Sequence, residues 1–126
     1  MNATKFYRCE KCGNLAGLIN ASGVPMVCCG QKMTALEAGA VEASREKHIP
    51  EVTVDGDTVK VTVGSVIHPM VEEHSILWIY LETDKGGARK SLAPGEAPEA
   101  IFRLADERPV AVYAYCNLHG LWKKEI

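Results

Sequence analysis

Apolar and polar residues alternate along much of the chain beyond residue 50, and this two-residue period predicts β-strands. The clearest alternation is in two runs, Glu51–Asp55 and Thr58–Val63, which flank the turn sequence Asp55-Gly-Asp57. An Asp-Gly turn between two alternating runs is typical of a β-hairpin. The second half of the chain is therefore expected to begin with a hairpin.

Further strands are predicted downstream of this hairpin. The segment Ser75–Glu82 is β-branched and aromatic and has apolar residues on both faces, which predicts a central strand. Three more strands are predicted at Ala100–Leu104, Val110–Tyr115 and Leu121–Lys124, with a turn at Gly86-Gly87 and a loop at Pro94–Pro98. Several short strands separated by turn signals predict an antiparallel β-sandwich.

The first 36 residues show no such periodicity and are rich in glycine and cysteine. A segment this short buries too little apolar surface to fold unaided, so we expect a bound metal to stabilise it. The stretch from about Glu37 to Glu46 is rich in alanine and glutamate and is interpreted as a linker that can hold a helical turn. The predicted organisation is a small metal domain over residues 1–36 and a β-sandwich domain over residues 37–126.

Composition narrows the range of partners. The chain has 126 residues, 47% of them apolar, and a formal net charge of −2. A chain with this charge and no run of lysine and arginine is not expected to bind nucleic acid. No apolar leader opens the sequence, and the longest apolar stretch, Ile76–Leu81, is too short to span a bilayer. We therefore expect a cytoplasmic protein without membrane association.

The five cysteines and four histidines divide into two groups with none left over. The first group is Cys9, Cys12, Cys28 and Cys29, and the second is His48, His68, His74, Cys116 and His119. Four thiolates on one short segment suit a closed tetrahedral metal site in a reducing compartment. Zinc and iron both accept four thiolates, so these residues alone leave the metal of the first group open.

The second group predicts a different kind of metal site. Zinc normally takes four ligands, whereas four imidazoles and one thiolate indicate iron in a square-pyramidal arrangement with a sixth position open. A thiolate opposite that position would donate electron density to a small molecule bound there. Lys47, beside His48, is placed to attract a small anion, and Glu46 to close the position when the metal is oxidised. A solvated charged pair on the surface fits the same spacing equally well.

Motifs from both groups together resemble the desulfoferrodoxins, the two-iron class of superoxide reductases. The motifs are Cys9-Glu-Lys-Cys-Gly13, Val27-Cys-Cys-Gly30, Glu46-Lys-His-Ile-Pro50, His68-Pro-Met70, Glu73-His74, Cys116-Asn-Leu-His-Gly120 and Pro94-Gly-Glu-Ala-Pro-Glu-Ala100. The resemblance covers nearly the whole chain. One departure is Ala114, because some relatives carry an acidic residue two positions before the ligand cysteine.

The resemblance implies a mainly β protein, with a desulforedoxin-like N-terminal iron domain followed by an immunoglobulin-like antiparallel β-sandwich. It implies one iron bound by the first group of residues and a ferrous iron bound by the second, where superoxide is reduced to hydrogen peroxide. It further implies that Lys47 attracts superoxide and orients a proton-supplying water, and that Glu46 ligates the oxidised metal. A rubredoxin-like electron donor and a homodimer are implied in the same way.

Two other interpretations stay open at the level of sequence. A non-catalytic iron electron-transfer protein would have a second site closed to anions. A zinc-stabilised binding module would be colourless, since zinc thiolate sites do not absorb visible light and ferric thiolate sites do. The colour of the purified protein separates the zinc interpretation from the iron interpretations.

Overall fold

The computed structural model describes residues 5–126, which divide into two compact units between Glu37 and Ala38. The strands of the first unit are β1 (Lys5–Arg8), β2 (Leu15–Leu18), β3 (Val27–Cys28), β4 (Gln31–Lys32) and β5 (Thr34–Ala35). Strand β1 pairs antiparallel with both β2 and β5, and β3 pairs with β4 in a separate hairpin. Sequence periodicity predicted none of these strands, because runs of two to four residues are too short to show a period.

The first unit has very little apolar interior. Among its described residues, the buried apolar side chains are Phe6, 8% exposed, and Cys9, fully buried. Two side chains cannot supply the apolar burial that holds a domain together. The unit therefore needs another source of stability, as the sequence predicted.

The second unit consists of one helical turn and seven strands. Their bounds are α1 (Arg45–His48), β6 (Pro50–Asp55), β7 (Thr58–Val63), β8 (Ile76–Thr83), β9 (Gly86–Ser91), β10 (Glu99–Arg103), β11 (Pro109–Cys116) and β12 (Gly120–Glu125). They form a three-stranded sheet in the order β10-β7-β6 and a four-stranded sheet in the order β12-β11-β8-β9. All neighbours are antiparallel, which confirms the predicted mainly β sandwich.

The core of the second unit lies between its two sheets. Alternate residues of β7 supply Val59, Val61 and Val63, each fully buried, while the intervening residues face outward. They pack in one cluster with buried residues from the other sheet, among them Ile79 and Val112. Each such side chain contributes about 1.5–3 kcal/mol by leaving water, so the alternating sequence fixes which face of the strand is inside.

Strand β8 is internal, as predicted, because it pairs with β9 on one side and β11 on the other. A register shift in its pairing with β11 places Tyr115 opposite Trp78 but Cys116 opposite Ile76. This bulge allows both Ile76 and Ile79, three residues apart, to join the core cluster. Along β11, Cys116 follows the alternation of Val112 and Ala114, so it faces the same core and is fully buried.

The predicted turn at Gly86-Gly87 is wrong, because these residues begin strand β9. Every residue of β9 is exposed, so the strand lacks the apolar alternation that identifies strands in a sequence. Glycine is needed at position 87 for close packing, since a Cβ there would collide with the Tyr80 hydroxyl on the neighbouring strand.

The predicted linker ends in the helical turn α1, where the Ile49 amide donates to the Arg45 carbonyl over 2.9 Å. Before it, the Gly39 amide donates to the Leu121 carbonyl over 2.8 Å, which ties the linker to β12. Helix α1 has four residues, and residues 5–126 contain no helix long and apolar enough to cross a membrane.

Candidate metal centres

Two tight turns bring the four cysteines of the first unit together. The Gly13 amide donates to the Cys9 carbonyl over 2.9 Å and closes the turn that carries Cys9 and Cys12. The second turn joins β3 to β4, and Cys29 adopts a left-handed conformation there, with φ of 53°. Adjacent cysteines on a left-handed turn can direct both sulfur atoms to one point. We call these four residues the four-cysteine centre.

The sulfur atoms of the four-cysteine centre lie at the spacing of a tetrahedral site. All four are within 4.8 Å of one another. The Sγ atoms of Cys12 and Cys28 are 3.7 Å apart, and those of Cys28 and Cys29 are 4.0 Å apart. Four sulfurs bound to one metal at about 2.3 Å are separated by about 3.8 Å. The residues therefore fit a metal with four thiolate ligands.

The pKa shifts of these thiols are also those expected of a metal site. The Cys12 backbone amide lowers the pKa of the Cys9 thiol to about 6. The Cys12 side chain, in turn, raises the pKa of the Cys29 thiol to about 12, and the Cys9 side chain raises that of Cys28. Four thiolates cannot share this volume unless a cation balances them, so metal binding must displace protons.

The second group of predicted ligands meets at one end of the sandwich. His48 ends α1, His68 follows β7, His74 precedes β8, Cys116 ends β11, and His119 lies in the turn to β12. Because β8 and β11 are antiparallel, the start of one lies beside the end of the other. We call these five residues the histidine–cysteine centre.

The four imidazole rings form a closed square. Going around it, the centroid distances are 4.6 Å from His48 to His68, 4.6 Å to His74, 5.1 Å to His119 and 5.0 Å back to His48. Neighbouring rings are nearly perpendicular, at 78° to 87°, whereas His48 and His74 across the diagonal are 6.3 Å apart and tilted by 31°. This order places His48 opposite His74, and His68 opposite His119.

Lone pairs converge inside the square. The Nδ1 atoms of His48 and His68 each lie 2.7 Å from a backbone carbonyl oxygen, of Ser44 and Pro69 respectively, to which they can only donate. Burial lowers the pKa of His48 and lowers that of His68 to about 4, so both rings are neutral near pH 7. Their Nε2 atoms are therefore bare acceptors, yet they face each other at 3.2 Å. Two acceptors this close repel each other unless they share a cation.

The remaining ligands complete the set. Among residues 5–126, the Nε2 atom of His74 is buried without a hydrogen-bond partner, which is costly for a polar atom but expected of a metal ligand. The ligand atoms of His48, His68, His74 and Cys116 lie within 4.8 Å of one another. His119 joins them through Nδ1, which is 3.2 Å from His48 Nε2 and 3.9 Å from Cys116 Sγ. The structure thus brings all five predicted residues together, and this donor set fits iron.

Burial raises the pKa of the Cys116 thiol, while the backbone amides of His119 and Leu118 lower it. A fully buried cysteine keeps its proton unless a cation stabilises the thiolate. Ala114, two residues earlier on the same strand, is also fully buried in the core cluster.

Three supporting contacts were not predicted from the sequence. Two are the carbonyls of Ser44 and Pro69, which fix the His48 and His68 tautomers. The third is Trp122, whose ring lies 5.0 Å from that of His48 and whose Nε1 donates to the His119 carbonyl over 3.0 Å. No sequence signal could identify these contacts, because every residue has a carbonyl group and Trp122 has the pattern of an ordinary strand residue.

The helical turn that carries His48 is held by the segment after β7. The Val66 amide and the Ser65 hydroxyl donate to the Glu46 carbonyl over 2.9 and 3.2 Å. A Cβ at Gly64 would lie 2.6 Å from that carbonyl oxygen and 2.7 Å from the Ile49 carbonyl oxygen. Only glycine lets the two backbones approach so closely.

We expect Gly64→Ala to push α1 away and loosen the histidine–cysteine centre. Overpacking against backbone costs about 1–3 kcal/mol, and the displacement falls on the turn that ends in His48. Thermal unfolding and iron content per chain measure the two effects. Lys60→Ala, at an exposed position on β7, is the control. Full iron content in Gly64→Ala would show that α1 does not depend on this packing.

The two predicted catalytic residues, Glu46 and Lys47, are exposed in α1. Lys47 lies close enough to the centre for its positive charge to contribute to the lowered pKa values of His48 and His74, whose main cause is burial. For Glu46, the described contacts involve its backbone carbonyl. The structure thus places an exposed cation and a carboxylate-bearing residue beside His48.

Fold and ligand sets together define a two-centre metalloprotein, with a four-sulfur site and a nitrogen-rich site that has a single sulfur. Known proteins share this organisation. A family model described as desulfoferrodoxin matches residues 40–125, and one described as desulfoferrodoxin, N-terminal domain, matches residues 1–36. The chain belongs to the desulfoferrodoxin family. Its two groups of ligands accordingly fit two iron centres.

Individual relatives are similar to this chain over nearly its full length. The chain is 44% identical to a desulfoferrodoxin of Nitratidesulfovibrio vulgaris over 124 residues, which is 98% of each chain. It is 44% identical to a desulfoferrodoxin homolog of Archaeoglobus fulgidus, over 93% of each chain. Among solved structures, the superoxide reductase from Treponema pallidum matches with a TM-score of 0.83 and 39% identity, covering 98% of this chain and 100% of that one.

Proposed function

We propose that this protein is a superoxide reductase. Superoxide takes up one electron and two protons and leaves as hydrogen peroxide, and no oxygen is released. When bound at the histidine–cysteine centre, ferrous iron supplies the electron. The similarity to a solved superoxide reductase over the whole chain supports this assignment.

The observation that carries the proposal is the square of four imidazoles beside a single buried thiol. The four imidazoles and the Cys116 thiolate would hold one iron between them as five donors. An iron that accepts a sixth ligand would then have a place for a small molecule. Electron donation from a thiolate favours reduction of a bound oxygen species.

Residues beside the histidine–cysteine centre favour its encounter with superoxide. Superoxide is an anion, and the exposed Lys47 ammonium next to His48 attracts it towards the centre. In this proposal Lys47 also orients a water that supplies a proton to the reduced product, and the Glu46 carboxylate would bind the iron once it is oxidised. Burial of His48 and His68 excludes water from the other sides of the centre.

Stoichiometry tests the reaction directly. Reduced protein is mixed with known amounts of superoxide while peroxide and oxygen are both measured. A reductase yields one peroxide for each superoxide and no oxygen. Oxygen evolved together with peroxide would indicate dismutation, and iron that stays reduced without forming peroxide would indicate an electron carrier.

We expect Lys47→Ile to slow the reaction with superoxide. Loss of an attracting charge beside the centre lowers the encounter rate at low ionic strength by roughly 10-fold, and the rate then depends less on salt. Fast mixing or pulse radiolysis across a range of salt concentrations measures both effects. The control is Lys60→Ile, which changes net charge equally at an exposed position on β7. An unchanged rate at low salt would remove Lys47 from the mechanism.

We also propose that a rubredoxin-like protein donates the electrons, that two chains form a homodimer, and that the protein works in the cytoplasm. The cytoplasmic assignment is supported by the placement of all five cysteines in candidate metal sites, a use of cysteine that is typical of a reducing compartment. The donor and the homodimer rest on the family resemblance. Sedimentation of the iron-loaded protein tests the dimer, and reoxidation of a reduced rubredoxin by the oxidised protein tests the donor.

A further inference from the structure

Asn117 connects the two loops that carry His74 and Cys116. Its Nδ2 donates to the Glu73 carbonyl over 3.0 Å, and its Oδ1 accepts from the Ser75 amide over 3.0 Å. Both neighbours of His74 along the chain are thus bound by one side chain that directly follows Cys116. Because one partner is a carbonyl and the other an amide, the orientation of the side-chain amide is fixed.

The backbone of Asn117 strengthens the same connection. Its amide donates to the Ser75 carbonyl over 3.2 Å, which extends the pairing of β8 with β11 beyond Cys116. The loop before His74 is closed by reciprocal hydrogen bonds between Val71 and His74, of 3.0 and 3.1 Å. The His74 backbone is therefore held on one side by its own loop and on the other by Asn117.

The Nε2 atom of His74, its candidate ligand atom, is buried and has no hydrogen-bond partner in the described chain. The place of that atom relative to Cys116 follows from the position of the His74 backbone, which carries the ring. Asn117 fixes that position relative to the Cys116 sulfur.

We propose that Asn117 is a positioning residue of the histidine–cysteine centre, holding the His74 imidazole at a set distance from the Cys116 thiolate. The inference deepens the proposed function and rests on it for the identity of the metal. Outer groups that orient metal ligands typically change metal affinity by roughly 10–100-fold when they are removed. A side chain that reached one loop alone would not link the two ligands.

Two substitutions separate positioning from general stability. Asn117→Ala removes both side-chain bonds, whereas Asn117→Asp keeps an acceptor for the Ser75 amide and loses the donor to Glu73. Glu72→Ala, at an exposed position in the same loop as His74, is the control. For each iron-loaded protein, the rate of iron release to a chelator and the visible absorption of the oxidised form are measured, along with thermal unfolding of the metal-free form.

We expect Asn117→Ala to release iron roughly 10–100-fold faster than the unmodified protein and to shift the thiolate absorption band, with Asn117→Asp intermediate. A purely structural residue would lower the unfolding temperature of the metal-free protein but leave iron release and the band unchanged, and that result would overturn the inference. If Asn117→Ala does not fold, the same comparison is made with Asn117→Asp. None of these readouts uses superoxide, so failure of the proposed reaction would be seen separately, in the unmodified protein.

Discussion

Cys116→Ser is expected to abolish the histidine–cysteine centre while leaving the sandwich folded. Serine is similar in shape, but its hydroxyl does not ionise near neutral pH and is a poor ligand compared with a thiolate. The site also loses its single sulfur donor. Iron affinity should fall by more than the roughly 10–100-fold lost with an outer ligand partner, and superoxide reduction should be lost with it. Iron content, visible absorption and peroxide yield measure these effects.

Burial of a hydroxyl in β11 could by itself destabilise the protein, because Cys116 is fully buried. Val112→Thr is the matched control, since it places a hydroxyl on the same strand and in the same core cluster, four residues away. The control should lose some thermal stability but keep its iron and its absorption. If Cys116→Ser binds iron and reduces superoxide as well as this control does, the thiolate has no role in the centre.

Cys9→Ser is expected to unfold the first unit while the second unit keeps its structure. Cys9 is both a predicted ligand and one of the two buried apolar residues in the described part of that unit. A structural metal contributes on the order of 10 kcal/mol to a small domain, far more than these few apolar contacts. Hydrogen exchange should show that the amides of β1 and β2 lose protection, while those of β8 and β11 remain slow.

Lys11→Ser is the control for this substitution, because Lys11 is exposed and lies in the same turn between Cys9 and Cys12. Removal of iron by a chelator from the unmodified protein should reproduce the effect of Cys9→Ser. If β1 and β2 stay protected in the metal-free protein, the small apolar interior of the first unit suffices for folding, and the metal is dispensable for its structure.

Most strands of the second unit could be predicted because their signals are local. Apolar and polar residues alternate along Thr58–Val63, and the apolar ones face the core. The Asp-Gly turn connects the two strands of the hairpin that the structure shows. Strand β9 could not be predicted, since an exposed edge strand owes its place to pairing with β8 and not to its own sequence. The short strands of the first unit could not be predicted either, because the turns around the cysteines position them and their own sequences do not.

The sequence by itself determined which side chains can bind metal, because cysteine and histidine are the soft and borderline ligands and none was left over. Tertiary structure alone decided how they meet. His48 and His119 are 71 residues apart in the chain, yet their ring nitrogens lie 3.2 Å apart. The carbonyl acceptors that fix the His48 and His68 tautomers, like the backbone groups that Asn117 binds, reach these side chains only in the folded chain. The linear order of side chains does not specify such contacts.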